Sequence, residues 1–179
     1  SDDEARNPVL LSGNASTFEE GERLSNPPLH PLGGGAIHVN GNSIMISDAT
    51  ISGCFSTNDG GGVNCATAQV SDSNVSGNTA IGLGGGIFAV NRGELEEDGV
   101  TVTDSVVSGN GSFGNIIVID DEEVGAGGGG IMSDGSITLT NVEMVSNGAL
   151  RGGGAFSLAS MDISGGTFTA NTAAIQDPF

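Results

Sequence analysis

Two acidic clusters are the densest groups of chemically active side chains in this sequence. They are Glu94, Glu96, Glu97 and Asp98 in the first, and Asp120, Asp121, Glu122 and Glu123 in the second. Carboxylates with nearby backbone carbonyls are the ligands that Ca²⁺ requires, so both clusters are candidate weak calcium sites. Neither has the Asp-x-Asp-x-Asp-Gly spacing of a known calcium loop, and solvated acidic loops are the default interpretation. No other motif requires a cofactor.

Side chains for general acid–base catalysis are few and scattered. Such catalysis needs paired titratable groups held within reach of one another. The sequence has no Lys or Tyr, and its two histidines, His30 and His38, are isolated. Its four arginines are Arg6, Arg23, Arg92 and Arg151. We therefore expect no active site within these residues.

Cys54 and Cys65 are the two cysteines, eleven positions apart. In a chain that we expect to be exported, a single pair favours a disulfide over a metal site, which would need more ligands. The alternative is two free thiols that behave as small buried hydrophobic side chains.

An internal repeat predicts the elements that position these residues. Glycine runs recur along the chain, and an eleven-residue block recurs in one register at 44–54, 68–78, 100–110, 137–147 and 161–171. The first and third positions of the block are apolar and alternate with polar residues, which is the pattern of a strand with one buried face. The fifth position holds Asp48, Asp72, Asp104, Asn141 and Gly165. Asx side chains bond nearby backbone, so this column predicts a turn, with a metal-binding ladder as the alternative.

The last position of the block predicts a structural column of asparagine side chains. Its members are Asn78, Asn110, Asn147 and Asn171, with Cys54 in the remaining copy and Asn14 as the expected first member. We expect each amide to bond the backbone of a neighbouring coil, because buried polar groups need partners. Asn-x-Ser sequons occur at Asn14, Asn74 and Asn110, and Asn74 is the best glycosylation candidate if the source is eukaryotic.

These features predict an all-β fold, a right-handed, three-sided parallel β-helix of about five coils with about 24 residues each. The first strand of each coil follows the glycine run, with Ala36-Ile37 equivalent to Val63-Asn64. We divide the chain into a partial first coil and irregular loop (1–32), the coils (33–175) and a tail (176–179). Acidic insertions at about 92–99 and 111–126 interrupt the coils.

The repeat resembles that of chlamydial-type polymorphic outer membrane proteins, within the pectin-lyase-like β-helix proteins. The resemblance rests on the motifs Gly34-Gly35-Ala36-Ile37 and Phe168-Thr-Ala-Asn171, and it covers residues 33–171. Other copies replace the Phe by Val75, Val107 or Met144. The resemblance implies an adhesin or passenger-type role at a cell surface.

Charge and hydropathy narrow the classes of partner. The formal net charge is −18, which disfavours nucleic acids and anionic membranes, and no apolar stretch approaches the roughly 20 residues of a membrane span.

We expect a structural or adhesive extracellular or cell-surface module. Its partner is a protein, a glycan, or another β-helix segment stacked end to end. The alternative is a fragment of a polysaccharide lyase- or epimerase-like enzyme with its catalytic coils outside this chain. We also expect that neither end of the sequence is a natural boundary of the solenoid, since Asn14 and Asn171 stand at nearly the same phase of the repeat. Either further coils exist in the native protein, or a partner or a second copy covers the open end.

Overall fold

A computed structural model describes residues 9–16, 34–40, 42–90, 99–113, 117–119, 122–124 and 127–173. These residues form 24 short β-strands and no helix. In chain order the strands are β1 (Val9–Ser12), β2 (Ala15–Ser16), β3 (Ile37–His38), β4 (Ser43–Ser47), β5 (Ala49–Ser52), β6 (Phe55–Ser56), β7 (Val63–Cys65), β8 (Thr67–Ser71), β9 (Asn74–Ser76), β10 (Thr79–Ala80), β11 (Ile87–Ala89), β12 (Val100–Thr103), β13 (Val106–Ser108), β14 (Gly111–Ser112), β15 (Ile117–Ile119), β16 (Glu122–Val124), β17 (Ile131–Ser133), β18 (Ile137–Thr140), β19 (Glu143–Val145), β20 (Gly148–Ala149), β21 (Ala155–Ser157), β22 (Met161–Ser164), β23 (Thr167–Thr169) and β24 (Thr172–Ala173).

All strands except β15 and β16 stack into four parallel sheets, and each complete coil gives one strand to each sheet. In the order in which a coil visits them, the first sheet is β3-β7-β11-β17-β21, the second β4-β8-β12-β18-β22, the third β1-β5-β9-β13-β19-β23 and the fourth β2-β6-β10-β14-β20-β24. The predicted all-β parallel solenoid is confirmed. The right-handedness of its coils stays a prediction.

The register of the eleven-residue block is the one that the sequence predicts. Ile44 pairs with Ala68, Val100 pairs with both Ala68 and Ile137, and Ile137 pairs with Met161. The partial first coil is in the same register, because Leu11 of β1 pairs with Ile51 of β5.

The register predicted for the first sheet is wrong by one residue. Ile37, and not Ala36, pairs with Val63. The reason is that Gly34 has a φ of 93° and takes the left-handed turn position that Gly60, with a φ of 66°, takes one coil later. Counting from the first glycine of each run therefore misaligned the first coil.

Each complete coil also has a fourth strand, whereas the sequence predicts a three-sided coil. It has only two residues, as in β10, and it follows the Asn position of the block. Its second residue faces the interior, where Ser56, Ala80 and Ser112 are buried. A two-residue strand is too short to produce an alternating pattern in the sequence.

The bend between the second and third sheets falls on the fifth column of the block. Asp48, Asp72, Asp104 and Asn141 have φ values of 51°, 49°, 47° and 53°, and Gly165 has 69°. Asp and Asn enter this left-handed region more readily than other side chains, and Gly enters it without strain. The column is thus the set of residue types that the bend accepts.

The core is a continuous stack of aliphatic side chains inside the coils. Ile51, Val75, Val107 and Met144 form one of its fully buried columns. Burial of each such side chain contributes about 1.5–3 kcal/mol. A second, smaller cluster centres on Leu83, Phe88 and Met132 and includes the half-buried Phe156. The repeat pattern of the sequence does not indicate this second cluster.

Close packing at the glycine turns predicts a strong effect of one methyl group. A Cβ on Gly85 would lie 2.5 Å from the carbonyl oxygen of Gly129, which is backbone and cannot move aside, whereas a Cβ on Gly148 would meet nothing within 4 Å. We expect Gly85→Ala to lower the free energy of unfolding by about 3 kcal/mol. The matched control Gly148→Ala should change it by about 0.5 kcal/mol or less. Urea unfolding measures both, and equal effects would contradict the proposed packing.

Candidate functional site

The asparagine column forms a ladder of side-chain hydrogen bonds along the solenoid. The Oδ1 atom of Asn110 accepts from both the backbone N–H and the side-chain amide of Asn78, at 3.0 and 2.9 Å. Asn147 accepts from Asn110 in the same way at 3.0 and 2.9 Å, and Asn171 accepts from Asn147 at 3.1 and 2.9 Å. We call Asn78, Asn110, Asn147 and Asn171 the Asn ladder.

Each amide of the Asn ladder also holds the strand of the preceding coil. The side-chain N–H of Asn110 donates to the Val75 carbonyl at 2.8 Å, and that of Asn147 donates to the Val107 carbonyl at 2.8 Å. Asn78, Asn110 and Asn147 are buried. Because their amides are used within the fold, these side chains hold the coils together and are not available to a ligand.

The expected first member, Asn14, stands in the column of the Asn ladder but meets the Cys54 thiol in place of an amide. Its side chain is exposed, and its amide nitrogen lies 4.0 Å from the Sγ atom of Cys54. Cys54 stands where the other coils have Asn, and its thiol approaches the Leu11 carbonyl at 3.8 Å, the carbonyl that an amide would bond there. Cys54 has no side-chain oxygen to accept the Asn14 N–H, so the column is interrupted at this coil.

The predicted disulfide between Cys54 and Cys65 is not present. Both thiols are free and buried. Cys54 follows the third sheet, whereas Cys65 ends β7 in the first sheet and its thiol lies 3.8 Å from the Phe88 carbonyl. Burial raises the pKa of the Cys65 thiol to about 12. Both cysteines act as small core side chains, which was the alternative interpretation.

A second, shorter ladder is formed by hydroxyl groups that the repeat pattern does not indicate. Ser73 Oγ accepts from the Ala49 N–H at 3.1 Å, and Ser105 Oγ accepts from the Ser73 N–H at 3.0 Å. Each hydroxyl donates to a carbonyl two residues earlier, at 2.6 Å for Ser73 and 2.7 Å for Ser105. The same position holds Val142 in a later coil. The residue types of this column therefore do not reveal the ladder in the sequence.

The Asp column lies at an exposed bend and not in a pocket. Asp48, Asp72, Asp104 and Asn141 are exposed, and the Asn141 amide donates to the Asp104 carboxylate at 3.1 Å. No group of three or more His, Cys, Asp or Glu side chains among the described residues could hold a metal ion. The positive φ values give this column a role in turning the backbone.

Both candidate calcium clusters fall largely outside the described residues. Glu94, Glu96, Glu97, Asp98, Asp120 and Asp121 are not described, and Glu122 and Glu123 are described only as backbone in β16. In that second insertion β15 and β16 pair as an antiparallel hairpin, with Val118 opposite Glu123.

The described part of the chain does not assemble a catalytic pair. His30, Arg6, Arg23 and Arg92 lie outside it. His38 is exposed in β3 of the first complete coil, and Arg151 is exposed beside Gly127, in the turn that leads into the last coil.

The outward faces of the second and third sheets are rich in hydroxyl groups. One column consists of Ser47, Ser71, Thr103, Thr140 and Ser164, and another contains Ser52, Ser76, Ser108 and Thr169. Asn74 lies on the same outward side of the third sheet and is part-buried, and its Oδ1 atom has no hydrogen-bond partner. Of the other two sequons, Asn14 is exposed and Asn110 is buried.

Two exposed apolar side chains lie beside the fourth sheet. Phe113 is 70% exposed and Ile81 is 49% exposed, and they follow the paired strands β14 and β10. A Cβ on Gly111 would touch the Phe113 ring at 2.9 Å, so this ring lies over the glycine.

Comparison with family models, curated proteins and solved structures finds no match for this chain. Among the described residues, no helix has the length and apolar character to cross a membrane.

The Asn ladder predicts a measurable loss when one amide is removed. Asn110→Ala strands the Val75 carbonyl and the donors of Asn78, and we expect the free energy of unfolding to fall by about 1–3 kcal/mol. Asn74→Ala is the matched control, since the Asn74 oxygen has no partner, and should change it by about 0.5 kcal/mol or less. Denaturant titration compares the two, and an Asn110→Ala variant as stable as the control would refute the structural role.

The interruption at Cys54 predicts a stabilising substitution. In Cys54→Asn the new amide can accept the Asn14 N–H and donate to the Leu11 carbonyl, as the amides of the later coils do. We expect the free energy of unfolding to rise by about 1 kcal/mol. Cys54→Ser is the control, because its shorter hydroxyl cannot do both. Thermal and urea unfolding measure the difference, and equal stability of the two variants would contradict this account of the column.

Proposed function

We propose that this protein is a non-catalytic structural or adhesive β-helix module of a secreted or cell-surface protein, which binds a protein or glycan partner through its outward faces. The proposal rests on one observation: interior polar side chains bond to the fold, whereas exterior side chains are free to contact a partner. Interior polar side chains such as Asn78 and Asn147 bond neighbouring coils, whereas hydroxyl columns and apolar side chains are displayed outside. The resemblance to polymorphic outer membrane protein repeats supports the same function.

The chemistry of the exterior favours a neutral glycan over a charged one. Hydroxyl side chains recur from coil to coil at the strand spacing of about 4.8 Å, so they offer a regular array of donors and acceptors. The exposed Phe113 ring beside Ile81 offers an apolar surface on which a sugar ring can stack. A net charge of −18 repels anionic polysaccharides, whereas a neutral glycan meets no such barrier.

A glycan array with neutral and anionic glycans tests this proposal. We expect the protein to bind neutral glycans, and Phe113→Ala to weaken that binding about three- to tenfold, because an aromatic contact contributes about 0.5–1.5 kcal/mol. Leu158→Ala is the matched control, since Leu158 is 43% exposed and follows β21 of the first sheet, away from the hydroxyl columns. It should leave the affinity unchanged.

The same preparation is incubated with pectin and alginate, and reaction products are followed by chromatography. We expect none. Release of shortened or unsaturated sugars would contradict the non-catalytic function. Absence of glycan binding together with capture of one defined protein would assign the faces to a protein partner.

A further inference from the structure

Two members of the Asn ladder are followed directly by glycine. Asn-Gly is the dipeptide in which an asparagine side chain deamidates most readily, because glycine has no side chain to hinder attack by its backbone nitrogen. The chain has three such dipeptides, Asn40-Gly41, Asn110-Gly111 and Asn147-Gly148. Asn40 is exposed in the turn between β3 and β4, whereas Asn110 and Asn147 are buried. The same labile chemistry therefore occurs in two different environments of one chain.

Deamidation needs a free backbone N–H on the following residue and a side-chain amide that can move toward it. At Asn147 the backbone nitrogen of Gly148 loses its proton to hydroxide and forms a bond to Cγ, and the Cγ–Nδ2 bond breaks to release ammonia. Water then opens the succinimide ring at either of its two C–N bonds, which leaves aspartate or isoaspartate at position 147. Water is the only co-reactant consumed.

The closed fold restrains both of the groups that must react. The Gly148 N–H donates to the Asn110 carbonyl at 2.9 Å. The side-chain amide of Asn147 donates to the Val107 carbonyl at 2.8 Å and to Asn171 Oδ1 at 2.9 Å. Its oxygen accepts from the backbone and side-chain N–H groups of Asn110 at 3.0 and 2.9 Å. Attack on Cγ therefore requires these hydrogen bonds to open first.

The fold does not require glycine at position 148. A Cβ on Gly148 would meet nothing within 4 Å, and the Gly148 backbone is not in the left-handed region. The paired position in the next coil is Thr172. An alanine at position 148 is therefore compatible with the packing, and it separates the chemistry of the dipeptide from the stability of the coil.

We propose that Asn110-Gly111 and Asn147-Gly148 are latent deamidation sites, which the closed Asn ladder protects and which local opening of a coil exposes. The first is restrained like the second, since the Gly111 N–H donates to the Asn78 carbonyl at 2.8 Å. An aspartate at position 147 has no side-chain N–H for the Val107 carbonyl, and it places a negative charge in a buried corner, which is costly without a partner. Deamidation thus prevents an opened coil from closing again as before.

Mass spectrometry of peptide fragments, after incubation at mildly alkaline pH with and without urea, tests the proposal. In denaturing urea we expect all three Asn-Gly sites to convert at similar rates. In native buffer Asn40 should convert, whereas Asn110 and Asn147 should convert about a hundredfold more slowly, because they react only during local opening. Asn40 is the internal standard for the chemistry, and this comparison needs no variant.

Two variants separate the dipeptide from the ladder. Gly148→Ala should suppress conversion at Asn147 in urea and leave conversion at Asn110 unchanged, because the added methyl group hinders the attacking nitrogen. Asn171→Ala removes an acceptor of Asn147, so we expect conversion at Asn147 in native buffer to become about tenfold faster. Asn74→Ala is the matched control, since the Asn74 oxygen has no partner, and it should leave this rate unchanged.

The Asn147→Asp variant tests the consequence of deamidation. We expect hydrogen exchange at the Gly148 N–H to be about tenfold faster or more in this variant than in the unmodified protein. Conversion of Asn147 as fast as that of Asn40 in native buffer would overturn the proposal, because the Asn ladder would then give no protection. So would Asn110 and Asn147 side chains that stay intact in urea while Asn40 converts, or unchanged hydrogen exchange in Asn147→Asp.

Discussion

Hydrogen bonds that cross from coil to coil at the corner after the third sheet, where strand pairing stops, hold the central described coils together. Along the strands the backbone groups pair in parallel ladders, but after the third sheet the chain turns and those pairings end. There the amides of Asn78, Asn110 and Asn147 take over, each bonding the coil before it and the coil after it. A buried corner without such partners would lose about 1–3 kcal/mol for each stranded polar group. The amide hydrogen bonds at the corners therefore help to hold neighbouring coils together, as the strand pairing does elsewhere.

The close contact between coils also explains why the chain is rich in glycine and short aliphatic residues. It limits the surfaces on which a partner could bind. Coils in contact through backbone atoms need glycine where they turn, as at Gly61 and Gly85, and short aliphatic side chains where they stack. Interior polar groups are consumed by contacts between coils. In the binding function proposed above, recognition of a partner would use the outward columns, because the interior polar side chains such as Asn110 are already bonded to neighbouring coils.

The parts of the fold that could be predicted were those in which one physical requirement recurs in every coil. The block register, the bend at Asp72 and the bonded Asn column follow from residue types repeated at one position. The features that could not be predicted from the sequence occupy only a few residues or a few coils. The two-residue fourth strand has no period, the Ser73–Ser105 ladder occupies few coils, and Gly34 is one of several glycines that could begin its turn. The expected cellular context favours a Cys54–Cys65 disulfide, but Cys54 lies at the corner after the third sheet and Cys65 lies in the first sheet, and both thiols are free. Function was least accessible, because outward columns tolerate many side chains.

A solenoid of this kind distributes its stability along one axis, because each coil touches only its neighbours. The central coils, around Val75 and Val107, have a coil on both sides and an unbroken Asn ladder. The coil that contains Cys54 has an interrupted ladder, so its corner lacks the amide hydrogen bonds that Asn110 and Asn147 make in later coils. Among the described coils, local opening at that corner therefore costs less than at the corners that follow Val75 and Val107.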